Sequence, residues 1–372
     1  MAIAPKHSIL TKTMFLLKYK QLGDISKMKK HYQLLIVIIL FSNFLFSGCK
    51  GKRPEVKQET VPVSVKPVVS IGNETSLLLK DLKDNGDYVN SKSYPSLIKA
   101  SIVNESIGKN VLILDLRSAK QYSDGHIKSA VNKKFEELPS YFETGIKPFE
   151  YDKIIVVSED GQVACYATCL LRLMGYGNVY AMRWGMSAWN NKFASEGWLR
   201  GISGKFETKL ENTVNIRPSV LTMPELKTGL STGSDIGTAR FRKLFEEGSG
   251  NVLITADEVF ENPLKFYIIN LERKDKYEDG HIPGAVRYKP EGTLGFTDEM
   301  ASIPTDKPVV VYCGTGHNSG FATAYLRLLG YDAHTLKYGN NGFMHDKMLK
   351  ERTTLSWLPF SSEDVNNFDV VK

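Results

Sequence analysis

Short apolar runs recur along most of the chain, and segments with helical spacing separate them. Val111–Leu114, Ile154–Val157 and Val309–Tyr312 each hold four consecutive apolar residues, most of them β-branched. Runs of this kind are typical of strands that are buried on both faces. The segments after the last two runs end in Leu-Arg-Leu, at Leu171–Leu173 and Leu326–Leu328. Strands that alternate with helices predict an α/β fold, a parallel sheet flanked by helices.

The same pattern occurs twice along the chain. Tyr122–Val131 and Tyr277–Val286 share a Gly-His-Ile turn, and their glycines, Gly125 and Gly280, are 155 residues apart. That offset also aligns the strands and the Leu-Arg-Leu helices, without a gap from Val111 to Tyr176. An internal repeat of this length predicts two homologous domains.

Local signals place the remaining elements and the domain boundaries. A helix is expected to begin near Ser91 in the first copy, and Thr255–Glu258 has the pattern of a capping box in the second. Thr238–Gly248 predicts an amphipathic helix that leads into the second domain. We therefore divide the chain into a tether, a first domain that begins near Ser76, a linker, a second domain and a tail: 50–75, 76–200, 201–237, 238–360 and 361–372.

The amino end has the pattern of an export signal. The basic segment Met28–Lys30 precedes the apolar run Leu34–Phe41, and small residues then lead to Cys49. A basic segment, an apolar core and small residues before a cleavage site are typical of a secretory signal. Residues 1–49 are expected to be a signal peptide, in which residues 1–27 extend upstream of a better start at Met28.

Leu45–Cys49 resembles a bacterial lipobox, although Phe46 departs from the commoner leucine. The resemblance implies that Cys49 is lipidated and that the protein is anchored in the cell envelope. Lys50, which follows the cysteine, favours the outer membrane and a domain that faces the periplasm. A transmembrane anchor is the alternative, because the uncharged stretch 32–49 is just long enough to span a bilayer.

The charge of the chain lies mainly in this amino end. The 372 residues carry a formal net charge of +7, but residues 1–60 contain eleven Lys/Arg and three Asp/Glu, so the remainder sums to −1. A nucleic-acid interface needs basic residues on the folded body. We therefore expect no nucleic-acid partner.

The second apolar strand of the second copy leads directly into Cys313. A short loop with Gly314 and Gly316 follows, and a helix is expected to begin near Ser319. The unpaired N–H groups and the positive dipole end of that helix would point at the sulfur and lower the pKa of the thiol. Cys313 is therefore the candidate nucleophile, within a loop whose backbone is suited to an anion.

These motifs resemble those of rhodanese domains. Asp115-x-Arg117 with Gly125-His126-Ile127 resembles the first family signature, and Gly280–Ala285 matches it more closely. Cys313–Asn318 lies where the family carries its active-site loop. A tandem pair with the cysteine in the second domain alone resembles the thiosulfate and 3-mercaptopyruvate sulfurtransferases. The resemblance implies a Cys313 persulfide, a small sulfur-containing anion as donor, a thiol or redox protein as acceptor, and no cofactor.

The loops differ between the two copies. Ser158 aligns with Cys313 and is followed by Glu159 and Asp160. A serine cannot carry a persulfide and two carboxylates repel an anionic donor, so the first domain is expected to be inactive. In the second domain, the expected substrate-binding residues are the loop and the start of its helix: Gly314, Thr315, Gly316, His317, Asn318 and Ser319.

The composition of the second loop bears on its substrate. Asn318 replaces the arginine common in single-domain members, and the neutral Cys-Gly-Thr-Gly start resembles mercaptopyruvate-type loops. His317 either holds the donor anion, or tunes Cys313, or faces solvent without a role. A Cys-x5-Arg phosphatase is disfavoured, because the next arginine, Arg327, lies two helical turns away. No His, Cys and Asp cluster indicates a metal.

Supporting residues also differ between the copies. Asn270 and Glu272 replace Asp115 and Arg117, and Arg273 is a candidate substitute for the missing arginine. His126 and His281 are expected to stabilise their turns. Cys165 and Cys169 lie four apart on one helix, where a disulfide has poor geometry. Both are expected to be small core residues, and a reactive thiol is the alternative for Cys165, which lies near the helix start.

Two functions are consistent with the sequence. The first is a sulfurtransferase that moves sulfane sulfur from thiosulfate, 3-mercaptopyruvate or polysulfide to a thiophilic acceptor. The alternative is an envelope lipoprotein that binds and delivers sulfur, selenium or related oxyanions to a redox partner without turnover. A pure scaffold is the least consistent, because the Cys313 loop is intact.

Overall fold

The structure is a computed structural model that describes residues 70–219, 222–289, 294, 299–351 and 357–372, all within one compact unit. The signal peptide, Cys49 and the tether up to residue 69 lie outside the described residues.

Two five-stranded parallel sheets form the centres of the two domains. Their strand orders are β1-β5-β4-β2-β3 and β6-β10-β9-β7-β8. The strands of the first sheet are β1 (Leu97–Ile98), β2 (Val111–Asp115), β3 (Ala130–Asn132), β4 (Lys153–Val157) and β5 (Val179–Met182). Those of the second are β6 (Leu253–Ile254), β7 (Tyr267–Asn270), β8 (Val286–Arg287), β9 (Val309–Tyr312) and β10 (Ala333–Leu336). The predicted α/β fold and its duplication are confirmed.

Helices flank both sheets. The first domain carries α1 (Asn73–Asp84), α2 (Ala100–Ser106), α3 (Ala119–Ser123), α4 (Leu138–Ser140), α5 (Gln162–Leu173), α6 (Met186–Trp189), α7 (Asn191–Glu196) and α8 (Trp198–Gly201). The second carries α9 (Gly233–Glu246), α10 (Ala256–Glu261), α11 (Lys274–Asp279), α12 (His317–Leu328) and α13 (His345–Lys350). The central strands β2, β4, β7 and β9 are buried almost throughout, because helices cover both faces of each sheet.

Three predicted helix boundaries differ from the structure. Ser91 does not begin a helix; its hydroxyl donates to the Tyr88 carbonyl at 2.8 Å, in a turn, and the helix begins at Ala100 after β1. The amphipathic helix begins at Gly233, because the Thr232 side chain caps it by accepting from the Asp235 N–H. The helix expected to begin near Ser319 begins at His317. The expected start of the first domain near Ser76 lies within α1, which begins at Asn73. The capping box at Thr255 is confirmed.

The two domains share one hydrophobic core. A single buried cluster includes Leu114 and Val156 of the first sheet and Ile269 and Val311 of the second. Helices α5 and α12 pack closely against each other at their amino ends, where a Cβ added to Gly320 would lie 3.1 Å from the Gln162 carbonyl oxygen. Helix α12, which follows the Cys313 loop, therefore packs directly on its counterpart α5 in the first domain.

Each domain is also covered by a segment that follows the other domain. Glu211 of the linker pairs in an antiparallel bridge with His281, and Val371 of the tail pairs with His126 in the same way. The preceding residues, Leu210 and Val370, cover Gly280 and Gly125. This reciprocal exchange ties the two Gly-His turns to chain segments that are distant in sequence.

Candidate active site

Cys313 directly follows β9 and lies at the carboxyl edge of the second sheet. The side chain is 5% exposed. Gly316, with φ of +73°, turns the chain from the loop into α12, so that the first turn of the helix lies beside the sulfur. The predicted placement of the thiol between a buried strand and a helix start is confirmed.

Three hydrogen-bonding groups, two backbone N–H groups and one hydroxyl, lie next to the Cys313 sulfur. The backbone N–H groups of Thr315 and Ser319 point at Sγ. The Ser319 hydroxyl lies 3.8 Å from Sγ, and it is held in turn by the Thr335 hydroxyl at 2.5 Å. This arrangement suits a sulfur atom that carries negative charge, because converging N–H groups stabilise an anion.

The pKa of the Cys313 thiol is nevertheless raised. Burial is the main cause and the negative charge of Glu272 is the second. The N–H groups of Ser319 and Thr315 and the Ser319 hydroxyl lower the pKa, but they do not compensate. The expectation of a lowered pKa is wrong, because the helix start was considered without the desolvation of the thiol and without the buried carboxyl group.

Glu272 lies two residues beyond β7 and is 1% exposed. Its carboxyl group accepts hydrogen bonds from the N–H of Gly314 and, at 3.2 Å, from the side-chain amide of Asn340. Burial raises the pKa of Glu272 to about 8, against the lowering effect of the Gly314 N–H and of Lys276. The Gly314 N–H is therefore bound to a protein carboxyl group and is not free for a substrate.

Two asparagines hold the Cys313 loop against the segment after β10. The Asn340 N–H donates to the Cys313 carbonyl oxygen at 3.0 Å, and the Asn341 side chain donates to the Gly314 carbonyl oxygen at 2.8 Å. Gly339, with φ of +54°, brings this segment so close that an added Cβ would lie 2.1 Å from the Cys313 carbonyl oxygen. Sequence reasoning missed these residues, because their partners lie 25 or more positions away.

His317 points away from the sulfur and into the first domain. It is fully buried, and its Nε2 accepts the Trp184 N–H at 3.1 Å between the rings of Trp184 and Trp198. Burial lowers the pKa of His317 to about 3. None of the three predicted roles is correct: a neutral, buried imidazole neither holds an anion nor faces solvent, and its acceptor nitrogen belongs to the domain interface.

The other predicted binding residues differ in their exposure to solvent. Thr315 and Asn318 are partly exposed, whereas Gly314, Gly316 and Ser319 are buried. The Thr315 hydroxyl accepts the His317 N–H at 3.3 Å, and the Asn318 carbonyl accepts the Tyr94 hydroxyl at 3.0 Å. The loop residues are thus brought together around Cys313, but several of their polar groups are already paired within the protein.

The equivalent loop of the first domain is closed on itself. The Ser158 hydroxyl oxygen accepts the N–H groups of Gly161 and Ala164, at 3.0 and 3.2 Å. The Asp160 carboxylate accepts the Gln162 N–H at 2.9 Å and is buried, whereas Glu159 is exposed. Ser158 therefore fills the position of the thiol with a neutral oxygen that is already paired within the protein, and the inactivity of the first domain stays a prediction.

The paired residues behind the two loops differ as the sequence indicated. In the first domain, Arg117 and Asp115 form a buried ion pair at 2.6 Å. In the second, the Asn270 side chain accepts the Glu272 N–H at 2.9 Å. Arg273 does not substitute for the missing arginine, because it is largely exposed and pairs with Asp275.

The remaining candidates have structural roles. His126 and His281 bond through Nδ1 to the carbonyl groups of Tyr122 and Tyr277, and each ring stacks on that tyrosine, which confirms turn stabilisation.

Cys165 and Cys169 are free and fully buried, as expected. Over the described ranges, no helix has the length and apolar character needed to cross a membrane, and no group of three or more His, Cys, Asp and Glu side chains is arranged to hold a metal ion.

Comparison with protein families identifies both repeats. The rhodanese-like domain matches residues 100–192 and, separately, residues 255–346. The two matches contain Ser158 and Cys313, respectively.

Individual relatives match at low identity. A tRNA uridine(34) hydroxylase from Onion yellows phytoplasma is 28% identical over 170 residues, which cover 44% of this chain and 54% of the relative, so the chain spans about half the length of that protein. Thiosulfate sulfurtransferase from Pseudomonas aeruginosa is 25% identical over 284 residues, 66% of this chain and 95% of the relative. A crystal structure of a thiosulfate sulfurtransferase from Pseudomonas aeruginosa is 16% identical, with a TM-score of 0.27 and coverage of 72% of this chain and 48% of that chain.

Proposed function

We propose that this chain, which carries two rhodanese-like domains, transfers sulfane sulfur through a persulfide on Cys313. The donor is thiosulfate, 3-mercaptopyruvate or polysulfide, and the acceptor is a thiol or a redox protein. One observation carries the proposal: Sγ of Cys313 lies at the end of β9 with the N–H groups of Thr315 and Ser319 directed at it.

The reaction has two balanced steps. The Cys313 thiolate attacks the outer sulfur of the donor, and the bond between that sulfur and the rest of the donor breaks. The electron pair leaves with the donor remnant, which is sulfite from thiosulfate or, after uptake of a proton, pyruvate from 3-mercaptopyruvate. The acceptor then attacks the outer sulfur of the persulfide and regenerates Cys313. In the persulfide, the two N–H groups would offset part of the negative charge.

The first domain supports the second in this proposal. Ser158 offers no thiol, and its hydroxyl is held by two N–H groups. Gln162 of the first domain accepts the Tyr338 N–H at 2.7 Å, next to Gly339, which contacts the Cys313 loop. In this proposal the first domain does not react itself but positions the segment at Tyr338 and Gly339, which lies behind the Cys313 loop.

The place of action proposed for the protein is the cell envelope. The proposal rests on Cys49 at the end of a lipobox-like sequence, which would tether the two domains to the outer membrane from the periplasmic side. Mass spectrometry of membrane-extracted protein would detect a diacylated amino-terminal peptide that begins at Cys49. An uncleaved leader would contradict it.

A second candidate function is delivery of a sulfur or selenium species to an envelope redox partner without turnover. The observation that favours it is the limited access to Cys313, whose side chain is 5% exposed and whose thiol pKa is raised by burial. A thiol of this kind populates its thiolate sparsely at neutral pH.

One set of measurements tests the proposal and separates the two candidates. Purified protein is incubated with each of the three donors and with cyanide or a thiol as acceptor, and the transfer of sulfur is followed together with the mass of the Cys313 peptide. Catalysis is expected in the wild type, with loss in Cys313→Ser and retention in Cys165→Ser. A stoichiometric adduct without repeated turnover would favour delivery, and absence of any adduct on Cys313 would contradict both.

A further inference from the structure

The second domain has a carboxyl group, that of Glu272, where the first domain has a positively charged side chain. By the 155-residue offset, Glu272 corresponds to Arg117, whose guanidinium is neutralised by Asp115. Glu272 has no such partner on its own strand, because the residue equivalent to Asp115 is Asn270. The second domain thus exchanges a neutral buried pair for a buried acid.

We propose that Glu272 is a positioning residue for Cys313: its buried carboxyl group and the Cys313 sulfur form a pair that carries at most one negative charge, and the pair selects sulfur donors that bring no more than one negative charge themselves. The donor preference rests on the proposed sulfur transfer, whereas the pairing does not.

The geometry links the carboxyl group to the nucleophile through two short connections. The first is the N–H of Gly314, the residue next to Cys313, which is directed at the Glu272 carboxyl group. The second is Asn340, whose side-chain amide donates to Glu272 Oε1 at 3.2 Å while its backbone N–H donates to the Cys313 carbonyl oxygen at 3.0 Å. Both connections are buried, so water screens the two groups little.

The charged and titratable groups around Glu272 do not neutralise it fully. Lys276 of α11 lowers the pKa, but its ammonium group also pairs with Glu351 at 3.2 Å and lies over the Trp357 ring. Asp275 of α11 raises the pKa, as burial does. Two further groups lie on the neighbouring strands. Arg287 of β8 donates to the Glu272 carbonyl oxygen. Tyr312 of β9 has a hydroxyl whose pKa is raised, mainly by burial.

This arrangement makes the two ionisations compete. With a pKa of about 8, Glu272 is mostly protonated at neutral pH. A neutral carboxyl group does not oppose the ionisation of the Cys313 thiol. When Glu272 ionises, its charge raises the pKa of the thiol. Once Glu272 is ionised, above about pH 8, a donor with two negative charges therefore meets repulsion that a protonated hydropersulfide or a thiol donor does not.

The chemistry of such a donor balances without a further reactant. Cys313 loses its proton, and the thiolate attacks the outer sulfur of a hydropersulfide RS–SH. The S–S bond breaks, its electron pair leaves with RS⁻, and RS⁻ takes up the proton that Cys313 released. The products are the Cys313 hydropersulfide and RSH, and Glu272 keeps its own proton throughout.

The test uses a reagent that reports on Cys313 without any sulfur donor. The rate of alkylation of the Cys313 peptide is measured by mass spectrometry against pH, in the full chain, with neutral iodoacetamide and with anionic iodoacetate. In Glu272→Gln, the midpoint with iodoacetamide is expected to fall by about one pH unit, which makes alkylation on the order of tenfold faster below the midpoint. The rate ratio of iodoacetate to iodoacetamide above pH 8 is expected to rise as well.

Asp275→Asn is the matched control. It removes the same charge three residues away, from an exposed side chain paired with Arg273, and it should leave the midpoint of Cys313 within about 0.3 pH unit. A Glu272→Gln profile that coincides with the wild type, or a shift of equal size in Asp275→Asn, would overturn the pairing.

Two further measurements keep the proposal testable. If Glu272→Gln does not fold, infrared spectroscopy of the wild type should detect a carboxylic acid that ionises near pH 8 and an S–H band, absent in Cys313→Ser, that persists to higher pH. A Cys313 thiol that ionises before the carboxyl group overturns the proposal. For the donor preference, Asn270→Asp with Glu272→Arg is expected to raise the rate with thiosulfate relative to a hydropersulfide severalfold. If Glu272→Gln shifts the alkylation midpoint as expected but the wild type transfers sulfur from none of the donors, the proposed function is contradicted and the pairing is still supported.

Discussion

His317 Nε2 accepts the backbone N–H of Trp184 at 3.1 Å, from one rhodanese-like domain to the other. The reciprocal contact is made by Gln162, which accepts the Tyr338 N–H at 2.7 Å. His317 and Gln162 are 155 residues apart and occupy the same place at the start of their helices. The Cys313 loop is therefore anchored by the His317 side chain, which packs into the first domain.

Removal of the His317 imidazole should destabilise the protein more than its replacement by the residue of the other domain. His317→Ala leaves the buried Trp184 N–H unpaired, and a loss of about 1–3 kcal/mol in the free energy of unfolding is expected. His317→Gln retains an acceptor, as Gln162 does, and should lose less. Urea unfolding at pH 7.5 measures both variants, and equal losses would contradict this assignment.

The same histidine should make the wild type sensitive to acid. Its pKa falls from 6.5 to about 3 on folding, so between these values the unfolded state binds the extra proton and stability decreases as the pH falls. The contribution is about 1.4 kcal/mol for each pH unit within that window. His317→Gln should flatten the dependence of unfolding free energy on pH between 6.5 and 4. A slope identical to that of the wild type would show that His317 does not titrate in this way.

An alanine at position 339 should disturb Cys313 directly. Gly339 has a left-handed backbone, and its Cβ would overlap the Cys313 carbonyl oxygen. Gly284 has a positive φ of +77° but open space around it, so Gly284→Ala should show only the conformational strain of about 1–2 kcal/mol. Gly339→Ala is expected to lose more stability and to change the alkylation rate of Cys313. Equal behaviour of the two variants would exclude an effect through the overlap.

Ser158 should be a stabilising residue of the first domain. Ser158→Ala leaves the N–H groups of Gly161 and Ala164 without their acceptor, at an expected loss of about 1–3 kcal/mol. Ser158→Cys retains a weak acceptor in the same place and should lose less. Thermal unfolding of the two variants measures the difference, and a fully stable Ser158→Ala variant would contradict the role assigned to the hydroxyl.

The tail should be needed for the stability of the first domain. The Trp189 indole N–H donates to the Asp369 carbonyl at 2.9 Å, and the Phe368 ring packs against Trp189. Deletion of residues 366–372 should therefore expose Trp189, shift its fluorescence to longer wavelength and reduce stability by about 2 kcal/mol or more. Val371→Ala, which retains the backbone bridge to His126, is the control and should leave the fluorescence unchanged.

Much of the fold follows from local patterns that the sequence displays. The runs at Val111, Ile154 and Val309 and the capping box at Thr255 are short-range signals, and the repeat shows that both halves use them alike. The helix start predicted near Ser91 was wrong, because a serine that closes a turn has the same local sequence pattern as one that begins a helix. The position of Cys313 between strand and helix followed from the same local reasoning.

The sequence by itself determined the two-domain α/β architecture, the candidate nucleophile and its serine counterpart, since these depend on residue types at neighbouring positions. Only the tertiary structure decided the directions of His317, Gly314 and Glu272, because each depends on a partner far along the chain: Trp184 is 133 residues from His317, and Asn340 is 68 residues from Glu272. The pKa of Cys313 belongs to the second group. A helix start lowers it locally, but burial and the charge of Glu272 arise only when the sheet brings β7 and β9 side by side.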